Sequence, residues 1–126
     1  MTFPEIKYPD VSAYSDAYFK QYAKASSSIN KTKLVEAAAT LLDAYKNSKT
    51  LYVCGNGGSA SISNHFACDH GKLLATDTDL RPRIQSLSTN IEVLTAIAND
   101  ISYDQVFVHQ LKLLANSGDI VMTVSS

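Results

Sequence analysis

No part of this sequence is apolar for long enough to cross a membrane, since no run approaches the ~20 residues that a spanning helix needs. Charge of one sign is missing too. Eleven basic and 12 acidic side chains leave a formal net charge of −1, which offers no electrostatic footprint for nucleic acid or for an anionic bilayer. Met1 to Ile6 contains no basic segment followed by an apolar core, so no secretory leader is expected. Cysteine is scarce, with two in 126 residues, and Cys54 and Cys68 form no C-x-x-C pair. Both are expected to be reduced, buried thiols in a cytoplasmic protein, because free cysteine packs as a small apolar residue. Low-complexity segments and convincing internal repeats are also lacking.

What is present is the composition of a globular domain, 45% hydrophobic and 18% charged over 126 residues, enough for one domain or part of one. Residues 1–10 hold two of the prolines and read as an extended arm. Val11, Tyr14, Tyr18, Tyr22 and Ala25 recur at steps of three and four, the pattern of one helix face. That aromatic face suits a core or a subunit interface. Ser26-Ser27-Ser28 weakens the helix end, and Asn30 is placed to cap a second helix with Leu34, Val35, Ala38, Leu41, Leu42 and Tyr45 on its apolar side. Leu51 to Cys54 is continuously apolar, as expected of a strand covered on both faces of a parallel sheet. Helical spacing resumes over residues 58–72, and a polar loop is expected over 75–83. Ile84 to Leu87 reads as a second strand. Asn90 opens a helix through Ala98, broken at Asn99-Asp100. Tyr103 to Leu114 reads as a further helix, Asn116-Ser117-Gly118-Asp119 as a turn, and Ile120 to Val124 as a third strand.

Two helices followed by alternating strands and helices predict an α/β domain with a parallel, doubly wound sheet and right-handed crossovers. In such sheets ligands bind beyond the carboxyl ends of the strands. The third strand reaches that crevice just at Ser125-Ser126, so the chain is expected to be the front portion of a larger domain.

The segment Gly55-Asn56-Gly57-Gly58-Ser59 follows the first strand and opens a helix. Glycines allow positive φ and close backbone approach, and a helix N-terminus favours an anion. Asn56 and Ser59 add side-chain hydrogen bonds, so a phosphate or a cluster of sugar hydroxyls is the natural guest. No lysine follows the glycines, which excludes a nucleotide P-loop. Gly55-x-Gly57-x-x-Ala60 matches the dinucleotide fingerprint formally. However, the second strand ends in Ser86-Leu87-Ser88-Thr89-Asn90, without the acidic residue that would hold a ribose. His65 and Asp69 share a helix face at a spacing of four. They are either two metal ligands, imidazole plus carboxylate, or an ordinary helical pair. His70 is expected to be solvated and His109 structural.

Together, Cys54-Gly-Asn-Gly-Gly-Ser59, His65-Phe66-Ala67, Leu94-Thr-Ala-Ile-Ala-Asn-Asp100, Tyr103-Asp104 and Gly118-Asp119 resemble the sugar isomerase (SIS) domain family, and within it the phosphoheptose isomerase branch. The resemblance runs from about residue 30 to the last residue. It implies a three-layer parallel α/β sandwich, with residues 1–48 as an N-terminal arm and helices for packing or oligomerisation. Residues 49–126 would be the front part of a phosphosugar-binding domain, cut after the third strand. It further implies a homo-oligomer, a tetramer or dimer with sites at subunit contacts; with the charge balance and the cysteines, the expectation is a cytoplasmic protein with no nucleic-acid or membrane partner. The implied reaction converts a ketose phosphate of the sedoheptulose 7-phosphate class to an aldose phosphate through an enediol, on the route to nucleotide-heptose and cell-surface polysaccharide precursors. By position, Asn56, Gly57, Gly58, Ser59, Asp69, Asn99, Asp100, Ser125 and Ser126 would contact the sugar phosphate, and His65 with Asp69 would ligate zinc.

Two departures from the family pattern matter. Aspartate stands at Asp69 where the family has a glutamate that binds zinc and serves as acid/base. A displacement of about 1 Å can cost on the order of a hundredfold in rate. Further phosphate-binding hydroxyls, zinc ligands and a second acid/base histidine of the family have no counterpart in these residues. Asp69 is therefore the candidate acid/base in this chain, and the 126 residues alone are expected to turn over slowly or not at all. Two other readings use the same fold without catalysis: an interaction protein of the replication-initiator-binding type, and a phosphosugar-sensing module.

Overall fold

The computed structural model describes residues 3, 4 and 6–125. They group into two compact units, Met1–Ala37 and Ala38–Ser126. In the first, α1 spans Val11–Ser27. The Asp10 carboxylate starts it by accepting the Ala13 N–H at 2.8 Å, satisfying one of the amides that a helix leaves unpaired at its beginning. None of its residues is buried. Instead Tyr14, Tyr18 and Tyr22 form a ladder of stacked rings 6.3 and 6.4 Å apart, which Phe3 joins against Tyr14 and Tyr18. Within this chain the aromatic face is thus not core.

α2 runs over Lys31–Lys46, and the Asn30 side chain caps it as expected, accepting the Lys33 N–H at 3.1 Å. The division between the units falls inside α2. The second unit continues with β1 (Thr50–Cys54), α3 (Gly58–Asp69), a π-helical turn over His70–Leu74 and the short α4 (Ala75–Asp77). Then come β2 (Arg83–Ser86), α5 (Ile91–Asp100), a 3-10 turn at Tyr103–Gln105, α6 (Val108–Leu114) and β3 (Ile120–Thr123). The strands form a parallel sheet in the order β2-β1-β3.

The central position of β1 explains its composition. Leu51 and Val53 point to one face, where Leu41 and Tyr45 of α2, Phe66 of α3, and Leu74 and Leu80 close over them. Tyr52 and Cys54 point to the other, against Leu87, Phe107 and Leu111. The four residues from Leu51 to Cys54 are at most 4% exposed, so the strand has no solvent face to mark with polar residues. Helices, sheet and helices make the three layers expected.

Several boundaries differ from the expectation. The helix begun at Gly58 extends through the π turn to Asp77, into residues expected to be loop. α5 includes Asn99 and Asp100 in its last turn and stops at Ile101, because neither residue is forbidden in a helix as proline is. The stretch expected as one helix from Tyr103 begins instead as a 3-10 turn, with the α-helix starting at Val108.

Two side chains behave differently from their reading. Cys68 is exposed. The inward stripe of α3 is drawn by Ser63, fully buried, and Phe66, packed on the core, and Cys68 falls about 200° around the helix from Phe66. His70 is half-buried rather than solvated. Its ring stacks on Phe66 at 3.8 Å, and its Nδ1 lies 3.0 Å from the Phe66 carbonyl oxygen.

At the amino end of the sheet, Asp119 joins two strand entrances. Its carboxylate accepts the Thr50 N–H and the Asn116 N–H, each at 2.8 Å. These bonds, that to Thr50 foremost, hold its pKa below the ordinary 3.8, with nearby Lys49 and Arg83 adding to the effect. A depressed folded pKa contributes stability that is fully present above the ordinary value and lost as pH falls through the folded one. Asp119→Ala is therefore expected to unfold at lower urea than wild type at pH 7, with the gap closing below the ordinary carboxylate value of 3.8. A gap independent of pH would contradict this account. The thiols give a second check. Burial raises the Cys54 pKa, so only the exposed Cys68 should react promptly with a thiol reagent in the native protein, and Cys54 only after denaturation.

Candidate functional site

β1 ends at Cys54, whose carbonyl accepts the Val124 N–H at 2.8 Å, so the exits of β1 and β3 lie side by side. The chain then turns sharply into α3. A Cβ on Gly55 would sit 2.8 Å from the backbone carbon and oxygen of Ser59, closer than real contacts allow. Gly57, at φ 54° and ψ −125°, occupies a region that side-chain-bearing residues avoid. The N–H groups of Ser59 and Ala60 turn back on the carbonyls of Asn56 and Gly57 at 3.0 and 3.1 Å. Those of Gly57 and Gly58 stand at the mouth of the helix, where no earlier turn supplies acceptors. At Gly58 an added Cβ would meet nothing within 4 Å, so a side chain there would enter open space.

This turn forms one wall of a cleft of about 390 Å³, lined by Cys54, Gly55, Asn56, Ser59, Phe107, Thr123, Val124 and Ser125. Two strand exits and a helix N-terminus converge on it, with the hydroxyls of Ser59, Thr123 and Ser125 and the Asn56 amide as its polar groups. The site thus lies at the carboxyl edge of the sheet. Ser126 lies outside the described residues.

The other expected residues lie elsewhere. His65 and Asp69 line a separate cleft of about 360 Å³ with Ser61, Ile62 and Phe66. At 1.5 Å per residue, Asp69 is about 15 Å along α3 from Ser59, nearly three turns. The His65 Nε2 and an Asp69 carboxylate oxygen are 3.5 Å apart, the first side chain 79% and the second 44% exposed. Two adjacent ligands of a tetrahedral zinc ion, each about 2.1 Å from the metal, stand about 3.4 Å apart, so the pair fits two positions of such a site. Among the described residues no group of three His, Cys, Asp or Glu side chains could hold a metal. Asn99 and Asp100 are exposed at the end of α5, where the Asn99 amide donates to the Asp100 carboxylate at 2.7 Å. They line neither cleft.

Several residues about the site had no sequence signal. Thr123 and Phe107 line the cleft. Ser88 bonds the glycine turn. Gln110 is buried and donates to the Leu87 carbonyl at 3.1 Å. The short polar run after β2 was visible, but which of its hydroxyls faces the turn depends on sheet register.

A parallel three-layer α/β domain that opens a glycine turn at the carboxyl end of its central strand is one that binds small ligands there. The SIS domain profile matches residues 16–126, and the chain belongs to that family. It is 39% identical over 90 residues to the phosphoheptose isomerase of Campylobacter concisus, covering 71% of this chain and 47% of that protein. With the phosphoheptose isomerase of Geotalea uraniireducens it shares 39% identity over 94 residues, 75% of this chain and 49% of the relative. Its fold superposes on the structure of phosphoheptose isomerase from Neisseria gonorrhoeae with a TM-score of 0.77 at 30% identity, over 92% of this chain and 59% of that one. The chain spans about half the length of the curated relatives it matches.

The backbone requirement separates two neighbouring glycines. Gly57→Ala should cost about 1–3 kcal/mol by forcing a Cβ into the positive-φ region. Gly58→Ala, in a helical position with free space, should leave stability unchanged or slightly raised. Urea unfolding of the two variants checks this, and equal midpoints would contradict it.

Proposed function

We propose that the protein binds a sugar phosphate of the sedoheptulose 7-phosphate class and isomerises it between ketose and aldose forms through an enediol. The observation that carries this reading is the cleft at the exits of β1 and β3, where a glycine turn presents the start of α3 beside Ser59 and Ser125. Asn56, Ser59 and Ser125, which line the cleft, would orient the ligand, and the amides of Gly57 and Gly58, beside the lining residues in the turn, would bind its anionic or hydroxyl-rich end. The names of the relatives support the heptose class; a use of the product in nucleotide-heptose and cell-surface polysaccharide precursors is part of the same reading. Asn99 and Asp100 would contact the sugar only from a neighbouring surface, since they line neither cleft.

Isomerisation moves a proton between adjacent carbons, so a base must stand near the sugar. Asp69 takes that role in this reading. Asp69 itself is about 15 Å along α3 from Ser59 and lines a different cleft from the glycine turn. A homo-oligomer, a tetramer or dimer, in which one chain's Asp69 faces another's glycine turn resolves this. The exposed aromatic ladder of α1 is available for such contacts. His65 and Asp69 would hold zinc with ligands from another segment or chain, and zinc would supply Lewis-acid polarisation of a sugar oxygen. We place the reaction in the cytoplasm, where a thiol as open as Cys68 stays reduced.

A coupled isomerase assay with sedoheptulose 7-phosphate, run beside ligand binding followed by phosphorus NMR, tests this. Asp69→Asn should lower kcat by about 10²–10⁴-fold, and Ser59→Ala should weaken binding. A protein that neither binds nor converts the sugar phosphate would refute the proposal.

A further inference from the structure

The exits of β1 and β2 are linked by a directed series of side-chain hydrogen bonds. The Ser88 hydroxyl accepts the Gly55 N–H at 3.1 Å and donates to the Gly55 carbonyl at 2.7 Å. One hydroxyl can do both, having one proton to give and lone pairs to receive with. These two groups belong to the peptides on either side of Gly55. Bridging them restrains φ and ψ of the residue type with the most conformational freedom. The Ser88 N–H donates in turn to the Ser86 hydroxyl oxygen at 3.2 Å, and that hydroxyl donates to the Asn64 side-chain oxygen at 2.6 Å. Ser86 is 5% exposed, so water competes little for these bonds. Gln110 holds the same strand exit from the opposite layer through the Leu87 carbonyl. The series therefore begins at the glycine turn and ends on α3, one residue before His65.

We propose that Ser88 is a positioning residue. It locks the Gly55 turn, which sets Gly55, Asn56 and Ser59 on the wall of the cleft. Through Ser86 and Asn64 it keeps that turn in register with the helix bearing His65 and Asp69. Ser88 does not line the cleft, so it acts through the turn and not by touching ligand. Its effect on ligand binding rests on the sugar-phosphate reading; its effect on the turn does not.

Amide hydrogen exchange in the ligand-free protein tests the positioning directly. In Ser88→Ala the Gly55 amide should exchange roughly tenfold faster than in wild type, the scale of one lost hydrogen bond. The amides of Leu51 and Val53 in the same strand should keep their rates, and Ser88→Thr, which retains a hydroxyl, should restore slow exchange at Gly55. Unchanged Gly55 exchange in Ser88→Ala, or acceleration only in step with Leu51 and Val53, would overturn the proposal. In a second arm, sedoheptulose 7-phosphate is titrated while the Gly57 and Gly58 amide shifts are followed. Ser88→Ala should weaken binding about tenfold, and equal affinity would overturn the link to the ligand. If wild type does not respond to the sugar phosphate, the functional reading fails, while the exchange measurement still decides the role of Ser88.

Discussion

The structure depends on the enclosure of one strand. β1 has β2 along one edge and β3 along the other, and helices over both faces. A strand so placed is paired along both edges, and its side chains from Leu51 to Cys54 are removed from water. It can only end by turning out of the sheet at its carboxyl end, where Gly55 and Gly57 release it into α3. The site is a consequence of that exit. With both edges paired, the neighbouring strand ends bring Ser88 on one side and Thr123, Val124 and Ser125 on the other to the same turn.

The turn is held by devices that differ in physical kind. Close backbone approach makes glycine necessary at Gly55, and a positive φ makes it necessary at Gly57. Side-chain hydrogen bonds from the β2 exit restrain what the glycines leave free. At the far end of the same strand, Asp119 ties the β1 and β3 entrances through two backbone amides, with Lys49 reaching the Ser117 carbonyl at 2.9 Å. The strand is thereby held by side-chain hydrogen bonds at both ends.

Much of this was legible in the residues. The unbroken apolar run from Leu51 to Cys54 identified a strand without a solvent face, and the glycines marked its exit. Asn30 and Asn90 announced helix starts that their side chains do cap. The helix ends were less legible. Asn99-Asp100 looks like a stop but continues α5 for its last turn, since local preference there is weak and neighbouring turns decide. Cys68 looked like core because cysteine is usually buried. The stripe that faces the sheet, however, is chosen by the rotation of α3 about its axis, which Ser63 and Phe66 set.

The sequence by itself determined the layer plan, the central strand and the glycine turn, because hydrophobic periodicity and glycine's permissive backbone act over short range and are written in consecutive residues. Tertiary structure decided which separated residues share a cleft. It put Ser125 with Asn56 and Ser59, kept His65 and Asp69 at a second cleft along α3, and brought Ser88 onto Gly55. Those pairings follow from sheet register and helix rotation, which result from packing over the whole unit and leave no local mark in the order of residues.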